Sequence, residues 1–410
     1  MSGLDRWRLP DGVEELLPAE VVKIEALRRK LLDLFHCWGY ETVIPPLIEY
    51  LESLLTGTGN DLDLQTFKLT DQLTGRMMGV RADMTPQVAR IDAHRLNRDG
   101  PTRLCYLGSV LHTRPEISGA TRSPIQLGAE LYGHSGVESD VEVILLMVEM
   151  LIASGEKSLV LDLGHVGIYR SLIKQVVFDS DQERMLFDAL QRKASAEVED
   201  IVRSALPDSA DKVIAEQLIA LKDLNGGDEV LKRAEKMDSS IQPSVATLQK
   251  IAVLVQEQLA DRVGTEDFKL EIHFDLAELR GYDYHTGVVF AAYAEGKGVA
   301  LAQGGRYDNV GAVFGRARAA TGFSADLKNL ISNNLEADNV EYPLPAIFAP
   351  HLDEATSSVV RQELRRKIES LRSSGERVIC ELLGQREGAA DIGCDRKLVE
   401  SDGSWSVTKR

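Results

Sequence analysis

The sequence of 410 residues predicts an α+β protein with a helical insertion and a small C-terminal α/β unit. Three observations carry that prediction. Strand and hairpin signals cluster on both sides of a strand-poor stretch at about residues 178–263. That stretch holds only helical patterns. A polar segment with two prolines, SNNLEADNVEYPLP at 332–345, then sets off the last part of the chain. The expected division is 1–331 for the core with its insertion, 332–345 for a linker and 346–410 for the small domain.

Taken in order, Pro18 opens an amphipathic helix with Val21, Ile24, Leu27, Leu31, Leu34 and Phe35 mostly three or four apart, and Gly39 stops it. Glu41 to Ile44 reads as a strand whose pairing ends at Pro45-Pro46. Thr66 to Thr70 and Arg76 to Val80 flank the turn residues DQLTG and form a hairpin. Thr85-Pro86 combines an N-cap with Pro at the first helical position, so a helix runs from there to about Leu96. Strands follow at Thr102 to Leu111 and Ser123 to Tyr132, separated by the loop HTRPEISGAT. Val137 to Ser154 is a helix ended by Gly155, and Ser158 to Leu163 a buried strand. Within the insertion, Val213 to Leu224 and Val245 to Leu259 are helical, broken by NGGD and by Pro243. Strands return at Lys269 to Phe274, Gly287 to Ala294 and Val299 to Gln303. The small domain reads as strand Ala346 to Ala349, helix Ala355 to Leu371, strand Val378 to Leu383 and a closing hairpin turned at Asp402-Gly403.

Composition narrows the function. Lys plus Arg is 47 and Asp plus Glu is 64, a net charge of −17, and such an acidic field repels polyanions, so nucleic acid is not an expected partner. No run approaches about 18 apolar residues, so no membrane span is expected; Val143 to Ala153, interrupted by Glu149, is a buried helix. The N-terminus lacks the apolar core of a secretory signal. None of Cys37, Cys105, Cys380 and Cys394 forms a CxxC pair, which argues against zinc and redox motifs and for a reducing, cytoplasmic setting. The first three are expected to act as small core residues; for Cys394, beside Asp395 and Arg396, the reading stays open. No phosphate loop, HExxH or GxSxG occurs, and no two histidines stand four apart, so neither a metal nor a cofactor is expected.

Three segments stand out. VRADMTPQ carries Arg81, Asp83 and Thr85 at a strand-to-helix turn. QLGAELYG places Gln126 and Glu130 on one face of a strand, because they are four apart at period two. ELRGYDYHTGVVF carries Arg280, Asp283, Tyr284 and His285 before a strand, and QGGRYDNVG follows it. Singly, each has an ordinary reading: a turn salt bridge between Arg81 and Asp83, a solvated Glu130, a glycine bulge.

Together they resemble the core of class II aminoacyl-tRNA synthetases, in the histidyl-tRNA synthetase branch, over about Pro10 to Ile331. The resemblance implies an antiparallel sheet flanked by helices and a histidine-binding pocket. Asp83 and Thr85 match the motif that holds the histidine α-amino group. Gln126 and Glu130 match a Gln-x-Gly-x-Glu pattern that contacts the amino acid and its imidazole. Arg280, Asp283, Tyr284 and His285 match the histidine-specific loop, with His285 where the synthetases carry a second Tyr. The chemistry is coherent: an ammonium suits Asp83, a carboxylate suits Arg280 and an imidazole N–H suits Glu130.

The departures from that family are as informative. Its second motif begins Phe-Arg-x-Glu, and the Arg grips the ATP α-phosphate. Here the segment reads Leu111-His112-Thr113-Arg114, and either possible register loses the guanidinium. The third motif ends in an Arg that contacts the nucleotide. Here Asp326 replaces a Gly and Asn329 replaces that Arg. Phosphoryl chemistry needs fixed cations where negative charge accumulates, so His112, Arg114 and Asn329 mark a degenerate nucleotide site.

A histidine pocket without nucleotide chemistry resembles the regulatory subunits of ATP phosphoribosyltransferase. That resemblance implies a non-catalytic homodimer that partners the short-form catalytic subunit in a hetero-octamer, activates the first step of histidine biosynthesis and helps to sense L-histidine. The helix from Pro18 to Trp38 and the strand ending at Pro45-Pro46 correspond to the motif that builds the family's homodimer. The short tail agrees, since synthetases carry a larger anticodon-binding domain. The alternatives are a working histidyl-tRNA synthetase and a synthetase-like amino-acid sensor for a different partner.

Overall fold

The computed structural model describes residues 7–56, 60–115, 121–206, 212–261, 268–282, 284–296, 298–308, 310–332, 344–401 and 404–409. They fall into two compact units, Met1–Glu15 with Ile24–Asn334, and Leu16–Lys23 with Leu335–Arg410.

Helix α1 (Pro18–Cys37) buries Ile24, Leu27, Leu31 and Phe35, the stripe that the spacing predicts. Gly39, at φ +82°, ends it in the left-handed conformation that glycine adopts freely. β1 (Glu41–Thr42) is followed by β2 (Ile48–Tyr50), α2 (Leu51–Leu55), α3 (Asn60–Gln65), β3 (Phe67–Thr70) and β4 (Met77–Val80). β2, β4 and β3 make a small antiparallel sheet, and the Asp71 N–H donates to the Arg76 carbonyl at 2.8 Å to close its hairpin. α4 (Thr85–Arg90) passes into a wider π-helical turn at Ile91–Leu96. Thr85 is not its N-cap. Met84 holds that place, and Asp83 Oδ1 accepts the Thr85 N–H at 3.0 Å, freeing the Thr85 hydroxyl for the interior.

β5 (Thr102–Ser109), β6 (Ile125–Tyr132), α5 (Val137–Ala153), β7 (Ser158–His165) and α6 (Val166–Ile173) complete the first half. α5 is buried along nearly its whole length, as the apolar run beginning at Val143 predicts. The insertion consists of α7 (Ser180–Gln191), α8 (Ser195–Ala205), α9 (Lys212–Ala220), β8 (Asn225–Gly226), α10 (Glu229–Ala234) and α11 (Gln242–Leu259). Two of its details differ from expectation. The NGGD break supplies a two-residue strand that pairs with the main sheet, and Pro243 does not interrupt a helix. It sits in the first turn of α11, where a missing N–H leaves no hydrogen bond unmade.

β9 (Lys269–Asp275), β10 (Val288–Ala294), β11 (Ala300–Arg306), β12 (Ala320–Asp326) and α12 (Leu327–Ser332) end the large unit. Among the described residues its sheet has the order β1-β5-β6-β12-β11-β10-β7-β9-β8. The run from β5 through β7 is antiparallel, as the fold class requires; β1 on β5 and β9 on β7 are parallel, so the whole sheet is mixed. The small unit orders β14-β13-β15-β16, from β13 (Ile347–Ala349), β14 (Val378–Cys380), β15 (Arg396–Ser401) and β16 (Ser404–Lys409). Its helix α13 (Ser358–Ser373) contributes Leu364 and Ile368 to a core with Ile347, Val378 and Leu398. The proposed turn residues Asp402 and Gly403, and most of the linker, lie outside the described residues.

Cysteine placement corrects one expectation. Cys37 is exposed, because it stands two residues beyond Phe35 and off the buried stripe of α1, whereas Cys394 is buried.

Candidate functional site

Neighbouring strands β6, β12, β11, β10 and β7 line a cavity of about 230 Å³ in the large unit. At its closed end is Glu130 on β6, 1% exposed. Tyr106 on β5 donates its hydroxyl to Glu130 Oε1 at 3.0 Å, and Tyr307, just after β11, donates to Oε2. The Thr85 hydroxyl lies 2.9 Å from the Tyr106 hydroxyl, and that of Tyr132 lies 3.3 Å from Tyr307. Gly322 pairs with Glu130 across β12, and a Cβ there would fall 1.6 Å from Glu130 Oε2. Only glycine leaves room for the carboxyl. Burial pushes Glu130 up to about 8, against the opposing effect of the Tyr307 and Tyr106 hydroxyls. At neutral pH this buried carboxyl therefore favours its protonated form.

Arg306 fixes the Tyr307 turn. Its guanidinium lies 3.0 Å from Asp140 and 2.9 Å from the Ser139 hydroxyl at the start of α5. Tyr284 stacks on Tyr307 at 4.9 Å between ring centres, and its buried hydroxyl has no partner among the described residues. His285 meets the Tyr284 ring edge-on, and burial pulls its imidazole down to about 4, so the ring is neutral. Asp283 lies outside the described residues.

At the α4 end, Asp83 Oδ1 also accepts the Gln126 amide N–H at 2.7 Å, while Gln126 Oε1 accepts the Met84 N–H at 2.9 Å. Gln126 thus clamps Asp83 at the cavity wall. Arg81 does not pair with Asp83; it is buried and donates to the carbonyls of Pro45 and Ser109. Opposite, Arg280 Nη2 lies 2.7 Å from Glu278 Oε2 and 2.7 Å from the Tyr293 hydroxyl. Burial raises the Glu278 carboxyl, but Arg280 outweighs it and holds the group below its ordinary range. Asp162, Asp275 and Glu278 converge behind this wall. Each already faces a cation or imidazole: His273 for Asp162 at 2.9 Å, Lys193 for Asp275, Arg280 for Glu278.

A second cavity, of about 560 Å³, shares Asp83, Arg280, Gln303 and Ser324 with the first. His112, Asp326 and Asn329 line it; Arg114 is exposed and is not among its lining residues. His112 is committed to structure, with Nε2 2.9 Å from the Ala82 carbonyl. Asp326 Oδ1 accepts the N–H groups of Ile125 and Lys328, tying β6 to the start of α12. Among the described residues, the one guanidinium lining this cavity is that of Arg280.

Of the residues singled out in the sequence, Asp83, Thr85, Glu130, Arg280, Tyr284 and His285 line the smaller cavity, and Gln126 lines the larger one. Tyr106, Tyr132, Tyr307, Gly322 and Glu278 were missed. Tyr132, Tyr307 and Glu278 lie inside quoted segments, but only the folded sheet shows what they touch.

Residues 12–330 match a family model described as histidyl-tRNA synthetase, and residues 344–408 match one described as ATP phosphoribosyltransferase subunit HisZ C-terminal domain. The chain is 52% identical to an ATP phosphoribosyltransferase regulatory subunit of Alkalilimnicola ehrlichii, over 99% of this chain and 97% of that one. It is 50% identical to the protein of the same name from Pseudomonas fluorescens, over 100% and 99%. Among solved structures it is similar to an ATP phosphoribosyltransferase regulatory subunit/histidyl-tRNA synthetase from Bacillus halodurans, with TM-score 0.78 and 27% identity over 94% and 95% of the chains. A histidyl-tRNA synthetase from Nostoc aligns with TM-score 0.72 and 20% identity over 96% and 91%, a likeness of fold alone.

Proposed function

The chain belongs to the family of ATP phosphoribosyltransferase regulatory subunits, and on that ground we propose that it activates the short-form catalytic subunit and binds L-histidine without activating it chemically. The observation that carries this reading is the contrast between the two cavities. The smaller one has a buried, proton-bearing carboxyl at its closed end and a second carboxylate, Asp83, on its wall. In the larger one an imidazole bonded to a carbonyl and an amide stand where nucleotide chemistry needs guanidinium groups.

In this reading the imidazole meets Glu130 and stacks near Tyr284, the ammonium meets Asp83, and the carboxylate lies toward Arg280. Aminoacylation is lost, and catalysis belongs to the partner. The homodimer forms along α1 and β1, where Ile44, 87% exposed, and the exposed Leu47 leave apolar surface uncovered, and the homodimer enters a hetero-octamer with the catalytic chain. Histidine then shifts activity by its differential affinity for the active and inhibited assemblies.

Reconstitution tests it. Titrating this chain into the isolated short-form catalytic subunit should raise turnover to saturation at a fixed stoichiometry, and added histidine should lower it. A catalytic subunit whose turnover does not respond to the chain would refute the proposal.

A further inference from the structure

Arg280 lines both cavities, yet its charge is already engaged. Its Nη2 donates to Glu278 Oε2 and to Tyr293, its Nε to the same Glu278 oxygen at 3.2 Å, and its Nη1 to Gln303 Oε1 at 3.2 Å. Four of the five guanidinium N–H donors are thereby used. Glu278 Oε1 also accepts the Arg280 backbone N–H at 2.8 Å, so the pair is locked within a single turn. Against this one neutralised cation the described lining of the same cavity presents the carboxylates of Asp83 and Asp162, while Glu130 holds its proton. Among the described lining residues, a bound ammonium meets surplus negative charge, whereas a bound carboxylate meets no free positive charge.

We propose that Glu278 sets the specificity of the smaller cavity: by closing Arg280 into an ion pair, it makes the site one for imidazole-bearing ammonium compounds whose remaining substituent need not be negative. The inference rests on the histidine-pocket reading and names the ligand class more closely. It also gives the cavity wall a second consequence, because a guanidinium held by Glu278 is not available to a reacting acyl phosphate.

The test compares L-histidine with L-histidinol, in which a hydroxymethyl group replaces the carboxylate, by titration calorimetry on the full chain. In the unaltered protein the two dissociation constants should lie within about fivefold of each other. Glu278→Gln keeps the shape, frees the guanidinium and should favour histidine by at least about tenfold more, the range of one charge-assisted hydrogen bond. A preference for histidine beyond fivefold in the unaltered protein would overturn the inference, as would a folded Glu278→Gln variant with no change in the ratio. If that variant does not fold, the ratio in the unaltered protein decides alone. If neither compound binds, it is the histidine-pocket reading that has failed, and this inference falls with it.

Discussion

Replacing Glu130 by Gln should abolish a pH dependence of histidine binding that the geometry itself sets. The cavity end holds one proton to be shared between the Glu130 carboxyl and the ligand imidazole. Carboxylic acid with neutral ring and carboxylate with imidazolium contain the same number of protons. With Glu130 pushed up to about 8, the free site already carries that proton at neutral pH, so binding takes up none. Above that point the free carboxylate must regain it. Between about pH 7 and pH 9 the dissociation constant should therefore rise about tenfold, one pKa unit's worth. Titration calorimetry in two buffers of different ionisation heat measures both the affinity and the protons taken up. Ionisation of histidine's own amino group affects protein and variant alike, so the difference between them isolates Glu130. Equal losses of affinity in the two proteins, or no proton uptake by the unaltered one at high pH, would refute the reasoning.

The same carboxyl affects stability. Its pKa is raised on folding, so its contribution is fully present below the usual 4.5 and is lost as pH rises through about 8. Relative to Glu130→Gln, the unaltered protein should lose several kcal/mol of unfolding free energy across that window, read by denaturant titration at about pH 5 and pH 9. Gly322→Ala puts a methyl where Glu130 Oε2 now lies; it should cost about 1–3 kcal/mol of stability and weaken histidine binding at least about tenfold. Arg318→Met leaves Asp92, 2% exposed, without its partner and should cost about 3–5 kcal/mol near neutral pH. That loss should shrink as the solution is acidified and Asp92 takes up a proton, which thermal unfolding at two pH values would register.

Local rules made much of this legible. The stripe Ile24, Leu27, Leu31 and Phe35 with Gly39 defined α1, and the DQLTG turn defined the β3–β4 hairpin, because both depend on neighbours in the chain. The helical insertion and the small C-terminal unit followed from local patterning, and the synthetase-like sheet from the motifs that carry the family resemblance. Strand β12 was not read as a strand, since TGFSAD is rich in small residues and is held by partners on both sides rather than by its own alternation. The parallel pairing of β7 with β9 crosses the whole insertion and leaves no local trace. At the site, Gln126 and Glu130 were visible because period two places them on one face. Tyr106, Tyr307 and Gly322 were not, because a hydroxyl cage and a missing Cβ acquire meaning only when three strands meet. Glu278 stood two residues before Arg280 in a quoted segment, and its effect on that guanidinium depends on a turn geometry that residue spacing does not specify.

The central claim is a site that keeps amino-acid recognition and lacks the fixed cations for adenylation. ATP–pyrophosphate exchange tests it most directly, run on a preparation whose histidine binding has been verified by calorimetry in the same buffer. Histidine should bind, with no histidine-dependent exchange above background. Exchange at a rate typical of enzymes, on the order of 1 s⁻¹ or faster, would contradict it.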